Sequence, residues 1–280
     1  MLRTLTLSLV AVGLFANQAI SGTELAKSVT LDELYKGGTL TEGAKDISAE
    51  YLSGNTVLNF DGGCVEDIRC DTLQNDICFA SFMSPSCLTI TAWINPHSLT
   101  TPEQGHASLF SWGSEWSGFR FGLRSSVDDS GSMSYNALTM SYIADPSSKD
   151  RDCEAELPVT LGDWQFVAYS VNVQTGEYEM WADGQSRSGT IQEIVDVTDP
   201  DTLSKFCIGA KISTRENPLN KELFYGDIAN MTFYISDDLA TLEQLQQIAA
   251  NSKPIRVPEP ATGTLSLLAL AALAARRRKK

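Results

Sequence analysis

Six cysteines, two histidines and a few clusters of carboxylates and aromatic rings are where this 280-residue chain could do chemistry. The cysteines are Cys64, Cys70, Cys78, Cys87, Cys153 and Cys207. No Cys-x-x-Cys occurs and the early spacings fit no zinc pattern, so an even set points to disulfides. The closeness of the first four suggests that they staple the segment from Cys64 to Cys87, which leaves Cys153 to pair with Cys207. His97 and His106 fall in a Pro/Thr-rich stretch, without the carboxylate partner or nucleophile spacing that a triad needs. They are expected to be solvated loop residues. In Ser-Trp-Gly-Ser-Glu-Trp-Ser-Gly-Phe, residues 111–119, rings alternate with small residues, and exposed rings offer apolar faces to sugars. Trp116 and Phe119 are the candidate contacts, with Asp128 and Asp129 in the following loop as hydrogen-bonding partners. Trp93, Trp164 and Trp181 read as core, and Trp112 joins them.

These residues need a scaffold, and most of the chain reads as short strands. Leu88–Ile94 and Gly118–Arg124 alternate apolar and polar positions with a period of two. Residues 163–172 form a longer strand, and 177–182 runs into Asp183-Gly184, a strong hairpin signal. Residues 206–210 and 228–235 complete the set. One helix is expected after Asp237 or Asp238 as cap, with Leu239, Leu242, Leu245 and Ile248 sharing a face. Strands about ten residues apart with almost no helix predict an antiparallel β-sandwich. Residues 22–49 carry no clear pattern beyond a short helix around Leu31–Tyr35.

The two ends have a different composition. One cation, an apolar run from Leu5 to Ala16 and a small-x-small site at Ala19-Ile-Ser21 lay out a secretory signal peptide over residues 1–21. Cleavage after Ala19 and after Ser21 are both possible. At the other end, the uncharged residues 261–275 would span roughly 22 Å as a helix, against about 30 Å for a bilayer core. Five cations follow, Arg276 to Lys280, and such a cluster stays cytoplasmic. The tail is short for a permanent span and is expected to touch the membrane transiently, with a retained C-terminal anchor as the alternative; in both readings the body faces outward. Without residues 1–21 and 254–280, which hold seven basic residues and one acid, the body keeps 14 basic and 34 acidic residues, a net of −20. That charge repels nucleic-acid phosphate and attracts cations, so no nucleic-acid partner is expected.

Two resemblances follow from these residues. Val257-Pro258-Glu259-Pro260-Ala261, the Leu/Ala-rich segment and the terminal Arg/Lys cluster resemble the PEP-CTERM sorting signal of Gram-negative bacteria over residues 257–280. That resemblance implies an exosortase-type sorting enzyme as partner, and export to the cell surface or extracellular matrix. Residues 50–252 resemble a LamG-like domain of the concanavalin A-like jelly-roll superfamily, on "NTVLNFDGG" at 55–63, "LTITAWINP" at 88–96, "LGDWQFVAYSVNVQTGEYEMWADGQ" at 161–185 and "FYGDIANMTFYISDD" at 224–238. It implies an all-β jelly-roll sandwich closed by one short C-terminal helix. The stretches 64–87 and 125–160 depart from the pattern.

The second resemblance also bears on chemistry. β-Glucanases of the superfamily carry Glu-x-Asp-x-x-Glu on one strand face for acid and nucleophile roles. This chain has no such run; Glu177-Tyr-Glu179 with Asp183 belongs to a hairpin edge. No enzymatic activity is expected. LamG-like domains often hold one calcium at the sheet rim, and Asp61 and Asp227 occupy the positions where related domains offer ligands, making calcium the cofactor to test. The expectation is an exported, non-catalytic binding or adhesion module for glycan or extracellular polymer. A structural matrix protein without a discrete ligand, and a glycoside hydrolase, are its rivals.

Overall fold

The computed structural model describes residues 27–66, 87–98, 106–113, 118–127, 133–143, 157–172, 175–190, 206–210 and 222–257. In chain order these supply β1 (Lys27–Thr30), α1 (Leu31–Lys36), β2 (Thr39–Leu40), β3 (Ala44–Asp46), β4 (Val57–Asp61), β5 (Val65–Glu66) and β6 (Cys87–Ser98). They continue with β7 (His106–Gly113), β8 (Gly118–Val127), β9 (Met133–Ile143), β10 (Gln165–Asn172), β11 (Glu177–Ala182), β12 (Gln185–Thr190), β13 (Phe206–Ile208), β14 (Tyr225–Ser236) and α2 (Leu242–Ser252). The strands form two sheets. The eight-stranded sheet runs β12-β11-β10-β6-β14-β4-β3, with β1 also on β14; the six-stranded sheet runs β2-β5-β13-β7-β8-β9. Among the described residues every pairing is antiparallel.

The alternation seen in the sequence sorts side chains between two environments. One face of the eight-stranded sheet carries Leu58, Phe60, Ile90, Ile94, Val167 and Phe233 into the core between the sheets. Phe110 of the opposite sheet meets Phe233 edge-on, with ring centroids 5.0 Å apart, a geometry the ring quadrupoles favour. The other face carries Trp93, Phe166, Trp181 and Ala229 beneath Leu245 of α2. This second apolar layer explains why 87–94 is buried throughout instead of on alternate residues.

The expected hairpin forms at Asp183-Gly184, where both residues have positive φ (44° and 87°), as a tight two-residue turn requires. The helix starts later than expected. Thr241, not Asp237 or Asp238, caps α2, in a reciprocal capping box with Gln244. Leu242 is consequently exposed, while Leu245 is fully buried.

Residues 27–49 join the same sheets. Thr30 caps α1 in a second capping box with Glu33, and Leu31 and Leu34 reach the core. At the far end the chain stays attached beyond α2. Leu52 N–H donates to Ile255 O and Val257 N–H donates to Glu50 O, both at 2.8 Å, and the Arg256 guanidinium pairs with Glu50. Asn230 locks this corner. It adopts φ 49° at a bulge in β14, a left-handed conformation that Asn tolerates better than most residues. Its amide nitrogen donates to Asn55 Oδ1 (2.8 Å) and Ser252 O (2.7 Å), and its oxygen accepts from Thr56 N–H (2.9 Å).

Candidate functional site

A pocket of about 470 Å³ opens on the outer face of the eight-stranded sheet, beside the 254–257 strap. Its floor is built by register. Asp227 on β14 lies opposite Asn59 on β4 and opposite Asn95 on β6, so three side chains share one row across three strands. His97, two residues beyond Asn95, points to the same face. Asn59 Nδ2 donates to Asp227 Oδ1 at 2.7 Å, and Asn95 Nδ2 lies 3.3 Å from Oδ2. His97 Nε2 is 3.0 Å from the same Oδ2. A carboxylate only accepts, so a hydrogen bond here needs the imidazole proton on Nε2, and Asn95 Nδ2 lies 3.2 Å from the same nitrogen. The Asp227 side chain is 8% exposed and that of His97 46%: a buried carboxylate orients an exposed ring.

The walls are aromatic and charged. Trp164 and Tyr51 meet edge to face, with centroids 6.1 Å apart. Burial pushes the Tyr51 phenol above its ordinary pKa, and the charge of Asp227 adds to the shift. Lys45, Glu50 and Arg256 stand at the rim. The Asn95 side-chain oxygen, Oδ1, is buried without a protein hydrogen-bond partner among the described residues.

Several sequence expectations change here. His97 and His106 are not loop residues: the first is the penultimate residue of β6 and the second begins β7. His97 does have a carboxylate partner, supplied from a strand 130 positions away. Trp164, read as core, is half-buried and lines the pocket. The signal that could have found this cluster was the alternation Trp93-Asn95-His97, which continues one polar face past the apolar part of β6.

Of the expected ligand residues, Phe119 lies in β8 with its backbone in register with Trp112 of β7. That hairpin belongs to the six-stranded sheet, not to the sheet that carries the pocket. Trp116, Asp128 and Asp129 lie outside the described residues. Asp61 sits two residues along β4 from Asn59, exposed, opposite Tyr225. Asp227 is buried and already satisfied by nitrogen donors. No group of three or more His, Cys, Asp or Glu side chains with metal-binding geometry occurs among the described residues.

Three of the six cysteines fall among the described residues. Cys64, Cys87 and Cys207 are buried free thiols, and Cys207 lies against Cys64. The register explains it, because Val65 of β5 pairs with Ile208 of β13. Cys70, Cys78 and Cys153, the signal peptide and Pro258, Glu259 and Pro260 lie outside the described residues.

The sequence pattern of the concanavalin A-like lectin/glucanases superfamily matches residues 74–237. The chain belongs to this superfamily. A second match, over residues 256–279, is to the PEP-CTERM protein-sorting motif, which marks the protein for export. No curated protein matches the chain. Among solved structures, this superfamily member is similar to domain 4 of AbnA, a GH43 extracellular arabinanase from Geobacillus stearothermophilus, at 17% identity over 76% of this chain and 87% of that one (TM-score 0.45). It is also similar to the Ruminococcus gnavus IT-sialidase CBM40, at 17% identity over 65% and 91% (TM-score 0.43). A SAP-like pentraxin from Limulus polyphemus follows at 17% identity over 59% and 70% (TM-score 0.38).

Proposed function

We propose that this exported protein is a non-catalytic binding module that takes a glycan or polyhydroxylated extracellular polymer in the pocket beside the 254–257 strap. The observation that carries the reading is the pairing of an indole wall, Trp164, with a rigid polar array of Asp227, Asn59, Asn95 and His97. Sugars present an apolar ring face and a set of hydroxyls that both donate and accept. An aromatic face beside preorganised amide, carboxylate and imidazole groups matches both. The array is held in place before any ligand arrives, which lowers the ordering cost of binding. The sorting motif delivers such a module to the outer side of the cell envelope, where polymers of this chemistry are met.

A hydrolytic reading has one observation in its favour, the His97–Asp227 pair, which is the orienting half of an acid–base device. The experiment is a binding screen of the exported form against neutral and acidic polysaccharides, with product analysis in parallel. Saturable binding that Trp164→Ala weakens at least tenfold, with no released sugar, supports the module. Product release that His97→Ala abolishes supports hydrolysis. Binding that Trp164→Ala leaves unchanged overturns the pocket as its location.

A further inference from the structure

Away from the pocket, two cysteines meet where two distant parts of the chain are joined by very little. Strand β5 has two residues and β13 has three, and a single pair, Val65 with Ile208, registers them. Val65 and Ile208 point into the main core. Alternation sends Cys64 and Cys207 to the opposite side, where they form a separate small cluster with Ala210 and Leu223. Both cysteines are nearly inaccessible, at 1% and 2% exposed.

Their surroundings make the two sulfurs unequal. Cys64 accepts hydrogen bonds from the Cys207 thiol and from Thr41, whose Oγ1 lies 3.8 Å away, and its pKa is lowered. Cys207 holds its proton more tightly, because it donates to Cys64 and is deeply buried. One sulfur is thus disposed to be the thiolate and its neighbour to keep the proton.

We propose that Cys64 and Cys207 are joined by a disulfide in the exported protein, clamping the β4–β5 corner to β13. The sorting motif sends the chain beyond the reducing cytoplasm, and the oxidant is a disulfide of the thiol-exchange class. The Cys64 thiolate attacks one sulfur of that oxidant and expels its other sulfur as a thiolate. Cys207 then gives up its proton and attacks Cys64 in the mixed disulfide, releasing the oxidant's second thiolate. Two protein thiols lose two electrons and two protons, and the oxidant is reduced to two thiols. Because the folded cluster is closed, the exchange takes place before β13 has docked fully. The bridge closes a loop of more than a hundred residues, the long-loop regime in which cross-links constrain the unfolded chain most.

The sequence allows a clean reading of connectivity. Trypsin separates Cys64 (residues 46–69) from Cys207 (residues 206–211), from Cys153 (residues 152–187), and from a peptide at 70–120 that holds the other three cysteines. The full chain is refolded in a glutathione/glutathione-disulfide buffer, alkylated and digested without reductant. The expected product is the hexapeptide 206–211 linked to 46–69, and reductant separates the pair. Linkage of either peptide to 70–120 or 152–187 overturns the proposal, as does recovery of both as alkylated thiols. As a second measurement, the double variant Cys64→Ala/Cys207→Ala melts lower than the wild type by on the order of 10 °C when both are oxidised. When both are reduced, the two melt within a few degrees of each other. A difference of the same size under both conditions assigns the loss to packing and overturns the cross-link.

Discussion

Asp227 Oδ2 lies 3.0 Å from His97 Nε2, with the carboxylate buried and the ring exposed. The same carboxylate also receives the amides of Asn59 and Asn95, so one buried acceptor organises side chains from three strands. Removing it leaves the Asn59 amide and its two neighbours without the buried acceptor on which they converge. Asp227→Ala is expected to lose about 2–3 kcal/mol of stability, measured as a shift of the urea midpoint at unchanged m-value. Asp227→Asn keeps the shape but turns one acceptor into a donor facing donors, so it too is expected to destabilise, by about 1–2 kcal/mol. His97→Gln stands at the open end of the row and is expected to change stability by less than about 1 kcal/mol while weakening ligand binding.

The strap makes a second prediction. Glu50 and Arg256 are both well exposed, and such pairs contribute about 0–1 kcal/mol. Glu50→Ala is therefore expected to leave the unfolding midpoint nearly unchanged. The backbone bridges and the wall formed by Pro254 and Arg256 matter more. A chain ending at Val257 is expected to unfold cooperatively with the stability of the full chain. One ending at Ser252 is expected to unfold at lower denaturant and to bind ligand more weakly. Paired denaturation and binding curves decide it.

Calcium remains a proposal, and the pocket changes the partners it would use. Beside Asp227 and Asp61, the side-chain oxygens of Asn59 and Asn95 would join a cation only after their amides turn, because their nitrogens point at Asp227. A cation bound only by the folded chain would raise stability by roughly 2.7 kcal/mol at a hundredfold excess over Kd. A melting temperature that rises with calcium, falls back with chelator and responds weakly to magnesium is the expected result. Equal values with calcium and chelator return Asp227 to its hydrogen-bonding role alone.

A pH prediction comes from two groups away from the pocket. The Tyr35 phenol donates to Asp46 at 2.8 Å, and that bond, with burial and nearby carboxylates, pushes its pKa up to about 12. Burial, with the charges of Asp238, Asp237 and Glu177, pushes the Cys87 thiol up to about 11. Both groups hold their protons more tightly in the folded chain than in the unfolded one. In the presence of a thiol reductant, their contribution to stability is therefore complete below about pH 9 and is lost as pH rises toward 11 and 12. Urea midpoints between pH 8 and pH 11 are expected to fall, and Tyr35→Phe should flatten the upper part of the decline.

The sandwich was legible because its signals are local. The alternation of 88–94, the Asp183-Gly184 turn and the tail beginning Val257-Pro-Glu-Pro each depend on residues close together in the chain, and each fixes a backbone path or an address without reference to anything distant. The site was not legible for the opposite reason. Asn59, Asn95, His97 and Asp227 become neighbours only when β4, β6 and β14 pair in one register, and nothing near His97 in sequence announces a carboxylate. The same holds for Cys64 and Cys207, brought together by one backbone pair between two very short strands, whereas sequence spacing grouped Cys64 with its nearest cysteines. Helix α2 shows the boundary within a single element. Its existence follows from periodic leucines, but its start at Thr241 is set by a capping box and by the burial of Leu245 over Trp93 and Ala229. Periodicity and turn chemistry determine which elements form; the register of strands distant in sequence decides which polar side chains share a face.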